Sequence, residues 1–303
     1  MQRRPPLGSR PVSIVLALLS AASYGVADFL GGTASRRLHA LVVTLIAMVS
    51  GSVVIVVVCL AVGGVLTGRD VAWSAAAGVA GALALATFYS ALAKGPMGVV
   101  APLSAVTSAV VPVLVGLALG ERPSTVSTVG VVLALPAIAL VARERRLPGE
   151  PKRVAPSTVM RALAAGIGFG GYLVLLSRTS AASELWPVLV GRGASIAVLV
   201  ALAATFGVLR RSGPSTEEVD GGEHGVAKSV RLAATGGIFD AGGNVFYLLA
   251  VRADLLAVVA ALQALYPAAT VALAGAVDGE RPQRVQAIGM VMAVLAVALV
   301  SVG

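Results

Sequence analysis

The sequence predicts an all-α integral membrane fold of ten transmembrane helices, arranged as two inverted five-helix repeats. Three observations carry this. Of the 303 residues, 57% are hydrophobic and only 12% are charged, where a soluble domain carries roughly 25% charged residues. Ten apolar stretches are long enough to cross a bilayer, which takes about 20 helical residues. The string Gly-Glu-Arg-Pro occurs at 120–123 and again at 279–282, inside flanks that keep register.

The composition also excludes some classes. Surface-to-volume scaling leaves a water-soluble fold of this size too little interior for so much apolar side chain. A net charge of +9 in a soluble protein would suggest nucleic acid. Here Lys and Arg sit mostly between apolar runs, so they read as loop charges at a membrane surface and no nucleic-acid partner is expected. Cys59 is the sole cysteine, which excludes an internal disulfide and a structural zinc site. It reads as a small buried hydrophobe. The first 25 residues mimic a secretory leader, but the apolar stretch runs on to about Leu30, so a retained first helix is expected.

The predicted spans are 12–30, 39–64, 71–93, 97–119, 124–142, 159–177, 185–209, 230–250, 254–277 and 283–302. Two polar connectors are longer than the rest. Residues 143–158 divide five helices from five, giving repeats at 12–142 and 159–302. Residues 210–229, rich in Gly, Ser and Glu, read as a disordered loop that contains His224.

The flanks of the repeated tetrapeptide match at an offset of 159: Gly116 with Gly275, Gly120 with Gly279, Gly130 with Gly289. Phe88-Tyr89 and Phe246-Tyr247 match with a shift of one, and "ASYG" at 22–25 loosely echoes "IGFG" at 167–170. Register kept over three helices predicts an internal duplication. Equivalent helices are five crossings apart, an odd number. The second copy therefore enters the membrane from the opposite side, an arrangement that places a solute site near the midplane between the copies.

With these residues in view, the chain resembles the EamA-type permeases of the drug/metabolite transporter superfamily. Each copy closes with a helix pair joined by a Gly-Glu-Arg turn, with a Gly about nine residues further on: Gly120, Glu121, Arg122, Gly130 and Gly279, Glu280, Arg281, Gly289. Tyr24-Gly25 in the first helix is similar to the family's Trp-Gly. One departure is that Pro112 stands nine residues before Glu121, whereas Pro267 stands thirteen before Glu280. The resemblance implies a ten-helix carrier of small metabolites, such as amino acids or drug-like solutes, often moving them outward across the cytoplasmic membrane.

Ionisable residues within spans are costly and mark functional positions. Asp28, Arg192 and Asp240 are such residues. Tyr24 and Asp28 share one helix face with Ser20; Asp240, Asn244 and Tyr247 share another. The expectation is that both stripes line a polar cavity, in which one carboxylate takes up a proton to couple transport. The alternative for Asp28 is a place at the helix end among lipid headgroups. Arg192 is read as an ion-pair partner, a holder of a solute carboxylate, or a snorkelling cation. Gln263, Tyr266 and Thr270 in the ninth span have polar counterparts in Ser104, Thr107 and Ser108 of the fourth at the offset of 159. These polar groups either line a central site or bond their own backbone. Glu121 and Glu280 read as parts of capped surface turns, and Gly116-xxx-Gly120 as a packing face.

Arg3, Arg4, Arg10, Arg69, Arg122, Arg178 and Arg252 fall on the side of the termini, and the larger share of loop cations falls opposite. The positive-inside rule then puts the termini outside, whereas the resemblance implies termini inside. No P-loop, HExxH or GxSxG is present, so no cofactor, metal or ATP-driven step is expected. Three classes stay open: a carrier, a membrane-embedded enzyme using Asp28 and Asp240, and a channel or lipid flippase.

Overall fold

The computed structural model describes residues 10–35, 37–38, 40–92, 97–142, 154–205, 222–277 and 283–302. Their secondary structure is helical, with no strand among them: α1 (Arg10–Ser35), α2 (Ala40–Val62), α3 (Gly68–Leu92), α4 (Met97–Ala118), α5 (Thr125–Val141), α6 (Pro156–Leu176), a 3-10 turn (Ala181–Ser183), α7 (Trp186–Thr205), α8 (Gly222–Ala253), α9 (Leu256–Gln263), α10 (Tyr266–Val277) and α11 (Arg284–Val302). Among the described residues, seven stretches are long and apolar enough to span a bilayer, α9 and α10 together counting as one. Helices α5 and α7 are apolar but shorter, and α8 is longer and more polar.

Two expectations need correction. The ninth span is not one helix. Pro267 has no N–H to give to the carbonyl of Gln263. Leu265 N–H instead bonds Leu262 O at 3.2 Å, and α10 starts with Pro267 as its second residue. The connector 210–229 is not all loop, because α8 begins at Gly222. Its remaining part, with the first connector's 143–153 and with Gly279, Glu280 and Arg281, lies outside the described residues.

Helix packing runs across the repeats. Helix α1 lies on α8 as α6 lies on α3; α2 meets α8 as α7 meets α3; α9 and α10 flank α1 as α4 flanks α6; α5 and α11 pair with each other. Each contact is the other with the copies exchanged, which is what a two-fold relation between them produces. The relation holds residue by residue. Gly130 of α5 abuts the Ala296 carbonyl and Val300 of α11, while Gly289 of α11 abuts Leu140 and Val141 of α5. Gly78 of α3 abuts the Gly191 carbonyl of α7, and Gly237 of α8 abuts the Ala47 carbonyl of α2. Gly25 meets Tyr266 O and Ala269, as Gly170 meets Ser108 O and Val111. Lipid tails supply no hydrophobic drive between helices, so close backbone approach at small residues is how such helices gain contact. Valines and leucines outside these seams, such as Val53, Val57, Leu60 and Val294, are exposed, as a surface facing hydrocarbon requires.

The repeated tetrapeptide has a structural role. Gly120, at φ +88°, ends α4 in a Schellman turn, with Glu121 N–H on Gly116 O at 3.0 Å and Gly120 N–H on Leu117 O at 3.0 Å. The buried Glu121 carboxylate then accepts Leu256 N–H and Ala257 N–H, each at 2.9 Å, which caps α9 of the other copy. Ser124, rather than Pro123, starts α5 by accepting from Ser127 N–H at 3.1 Å. Cys59 is fully buried and free, as its setting in the sequence indicates.

The end of the bundle that holds the start of α1 is tied by polar contacts. Ser13 donates to Asp254 at 2.8 Å, and Trp186 Nε1 to Gly63 O at 2.9 Å. Asp70 accepts from Ser180 N–H at 2.7 Å, and Arg252 donates to Ser180 O at 2.7 Å and Glu184 O at 2.9 Å. These bonds gather the starts of α1, α3, α7 and α9 with the ends of α2, α6 and α8. At the other end, Gln286 near the start of α11 reaches Val141 O, the last residue of α5.

Two stability outcomes follow. Gly130→Leu forces a side chain into the α5–α11 seam and is expected to cost about 1–3 kcal/mol, read as a lower melting temperature of the purified protein in detergent. Glu121→Ala strips the cap from α9 and is expected to cost about 1–2 kcal/mol, with Glu121→Gln milder because it keeps one acceptor.

Candidate functional site

The polar residues that face the bundle interior come from both copies. At about 100° per residue, Asp28 lies about 40° round α1 from Tyr24 and about 60° short of Gly25. Tyr24 faces Gly243 of α8, and Gly25 faces Ala269 of α10. Asp28 therefore points between α8 and α10. Its side chain is exposed. Helix α1 runs to Ser35, so Asp28 sits seven residues, or about 10 Å, inside the helix rather than at its end. Among the described residues it has no hydrogen bond or ion pair.

Asp240 sits on the α8 face between α1 and α2, because its neighbours Gly236 and Gly243 meet α1 while Gly237 and Ala241 meet α2. Its carboxylate pairs with the Arg192 guanidinium of α7. The two partners are not equally open: Asp240 is 38% exposed and Arg192 only 5%. Arg192 also donates to Met48 O of α2 at 3.2 Å and passes over Gly51, where a Cβ would lie 2.8 Å from its Nη1. Of the three readings for Arg192, the ion pair is the one the structure shows.

Asn244 is buried. It donates to Asp240 O at 2.8 Å and accepts from the Tyr172 hydroxyl of α6. Tyr172 is a site residue that the sequence reading missed. Its only signal was a lone hydroxyl-bearing ring in the glycine-rich α6, and the contact with Asn244 spans two helices distant in sequence. Tyr24 and Tyr266 meet edge to face, with ring centroids 6.4 Å apart. Asp28 stands one turn beyond Tyr24 on α1. Tyr24, Asp28, Tyr172, Arg192, Asp240, Asn244 and Tyr266 thus form one cluster at the junction of the copies.

Other expected site residues lie elsewhere. Tyr247 is fully buried, and its hydroxyl donates to Leu173 O at 2.9 Å, a tie between α8 and α6. Ser104, Thr107 and Ser108 bond carbonyls of their own helix, and they sit where Gly166 and Gly170 of α6 press against α4. Gln263 is buried at the break between α9 and α10, one turn before Tyr266, and its amide has no hydrogen bond among the described residues.

A charged pair and an open carboxylate in the interior of an apolar bundle, at the seam of two matching halves, accord with a family model that matches the chain twice, at residues 11–143 and 156–302. The chain belongs to the EamA-like transporter family. It is a multi-pass membrane transporter of the drug/metabolite transporter superfamily, and the double match confirms the two repeats read from Gly-Glu-Arg-Pro. A solved structure titled only "Crystal structure of protein" matches this EamA-like chain with a TM-score of 0.72 and 18% identity, over 96% of each chain, which shows a shared fold. No curated protein matches it significantly.

Removing Arg192 leaves Asp240 as an uncompensated charge. Arg192→Met is expected to destabilise the protein by about 1–3 kcal/mol, less than a fully buried pair would lose because Asp240 is 38% exposed, and adding Asp240→Leu to recover most of that loss. Melting temperatures of the single and double variants check this.

Proposed function

We propose that this transporter is a secondary carrier with ten crossings, whose two five-helix copies lie in opposite senses and open the cleft around Asp28 and Asp240 to each membrane face in turn. The single observation that carries this is the position of the two carboxylates, on α1 of one copy and α8 of the other, facing one interior at the seam. The bonds at the terminus-bearing end support alternation of the helices. Helices α1, α3 and α7 start there and the helix after each ends there, and α6 ends where α1 begins. The exchange of every major helix contact between the copies supports two halves that can swap conformations. The bonded end is then one closed gate of the cycle.

The coupling ion we propose is the proton, taken up by the cleft carboxylates. A carboxylate that faces each side of the membrane in turn is a minimal coupling device, and Asp240, partly open and paired with Arg192, is placed to serve as one. The family resemblance implies outward movement of a small metabolite, with the lipid bilayer as the only other partner required.

Reconstituted vesicles, tested with a panel of amino acids, sugars and cationic drugs with and without a pH gradient, check the carrier reading. A solute whose flux follows the gradient is expected in the unaltered protein. Asp240→Asn is expected to abolish that dependence, measured on vesicles that hold monodisperse protein and compared with the Arg192→Met, Asp240→Leu double variant. Gradient-driven flux unchanged in this variant removes Asp240 from the coupling role.

A further inference from the structure

We propose that Glu121 is a positioning residue of the transport cycle: its carboxylate latches α9 while the terminus-bearing end is closed and lets go of it when that end opens. This deepens the carrier reading and rests on it.

Helix α9 depends on the other copy for its start. The first N–H groups of a helix need acceptors from outside its own ladder. Helices α3 and α5 carry their own at this end, Thr67 with Asp70 in one and Ser124 in the other. Leu255, at the corresponding place before α9, has no side-chain acceptor to offer. Glu121 supplies both acceptors instead, at 2.9 Å from Leu256 N–H and Ala257 N–H, and Ser13 of α1 holds Asp254 just before them. The Glu121 carboxylate is folded back over Gly116 of α4, so it stays with α4 when α9 moves. The break at Gln263–Tyr266 separates α9 from α10 and gives the short helix a hinge at its other end.

The two copies hold this element differently. At the offset of 159, α9 starts at Leu256 where α4 starts at Met97. Residues 258–263 of α9 are all buried. Their counterparts 99–104 leave Val99, Ala101, Pro102 and Leu103 partly open, in a helix that runs on unbroken. One segment thus takes two arrangements: capped, enclosed and broken at the bonded end, continuous and partly open at the other. Alternating access exchanges the arrangements of the copies, so opening the bonded end withdraws α9 from Glu121. The N–H groups set free then need water. A cavity of about 50 Å³ at the latch, lined by Glu121, Ser177, Arg178, Asp254 and Leu256, is polar and large enough to admit it.

Thiol labelling of the full chain in lipid nanodiscs tests this. In a Cys59→Ala background, Ala260→Cys on α9 and its counterpart Ala101→Cys on α4 are each treated with a charged, water-soluble maleimide. In the otherwise unaltered chain the thiol at 101 is expected to react and the thiol at 260 to stay protected. Adding Glu121→Ala is expected to raise labelling at 260 and to lower it at 101. Where the bonded state leads by about ten to one, a tenfold shift brings the two states level, a rise of about fivefold at 260 and a fall of about twofold at 101. Glu121→Gln, which keeps one acceptor, is expected to move both probes in the same senses by less, and carries the test if the Glu121→Ala protein is not monodisperse. A rise at 260 with no fall at 101 marks the fraying of a purely structural cap and overturns the proposal. So do unchanged rates at both probes, or a thiol at 101 that is silent in the unaltered chain. Solute flux in vesicles that persists beside unchanged labelling removes the latch and leaves the carrier reading standing.

Discussion

The closest constraint on this molecule is backbone-to-backbone approach between its two halves. The helices of one copy do not form a bundle of their own. Helix α1 finds its main neighbour in α8, and α6 finds its own in α3. At the neighbouring seams of α3 with α7 and α8 with α2, a glycine on one helix meets a carbonyl on the other, as Gly78 meets Gly191 and Gly237 meets Ala47. Helices in lipid gain by van der Waals contact and not by leaving water. A seam without side chains is where that contact is tightest, so the seams hold the copies together and set where everything else points.

The aim of the charged residues is a consequence of the same packing. Because α1 leans on α8 with Tyr24 against Gly243, its next polar residue, Asp28, is turned into the gap between α8 and α10. Because α8 leans on α2 through Gly237, Asp240 is turned to Arg192. The Arg192–Asp240 pair needs Gly51 as well, since a side chain there would stand in the path of the guanidinium. Packing and electrostatics are therefore not separable: the small residues that allow the helices to touch also aim the charged ones.

Glu121 shows a related economy at the edge of the membrane. A glycine ends one helix, and the carboxylate one residue later caps a helix of the other copy. That bond ties a turn of the first repeat to the broken span of the second. With the Asp70–Ser180 and Arg252–Ser180 contacts it makes one end of the bundle continuous across the repeat boundary. A movement that opens this end must carry the Glu121 cap along with α9 or break it.

Much of the architecture was legible in the chain because it is written in composition and period. Apolar length shows the spans, and the two copies of Gly-Glu-Arg-Pro show the duplication, since register survives where glycines are needed at equivalent seams. The charged site residues were legible too, because a charge in a span stands out against its surroundings. Three matters were not. The break at Gln263–Tyr266 depends on one proline and on neighbours that let the helix divide, whereas α4 stays continuous through Pro102 and Pro112. Tyr172 joins the site through a partner 72 residues away. Tyr247 shares its helix face with Asp240 and Asn244, and Ser104 was expected to line the same site, yet the hydroxyls of both are occupied by carbonyls. The sequence alone settled which residues are expensive to bury. Only the tertiary structure decided which of them neutralise each other and which remain open, because that depends on distances between helices that no local pattern encodes.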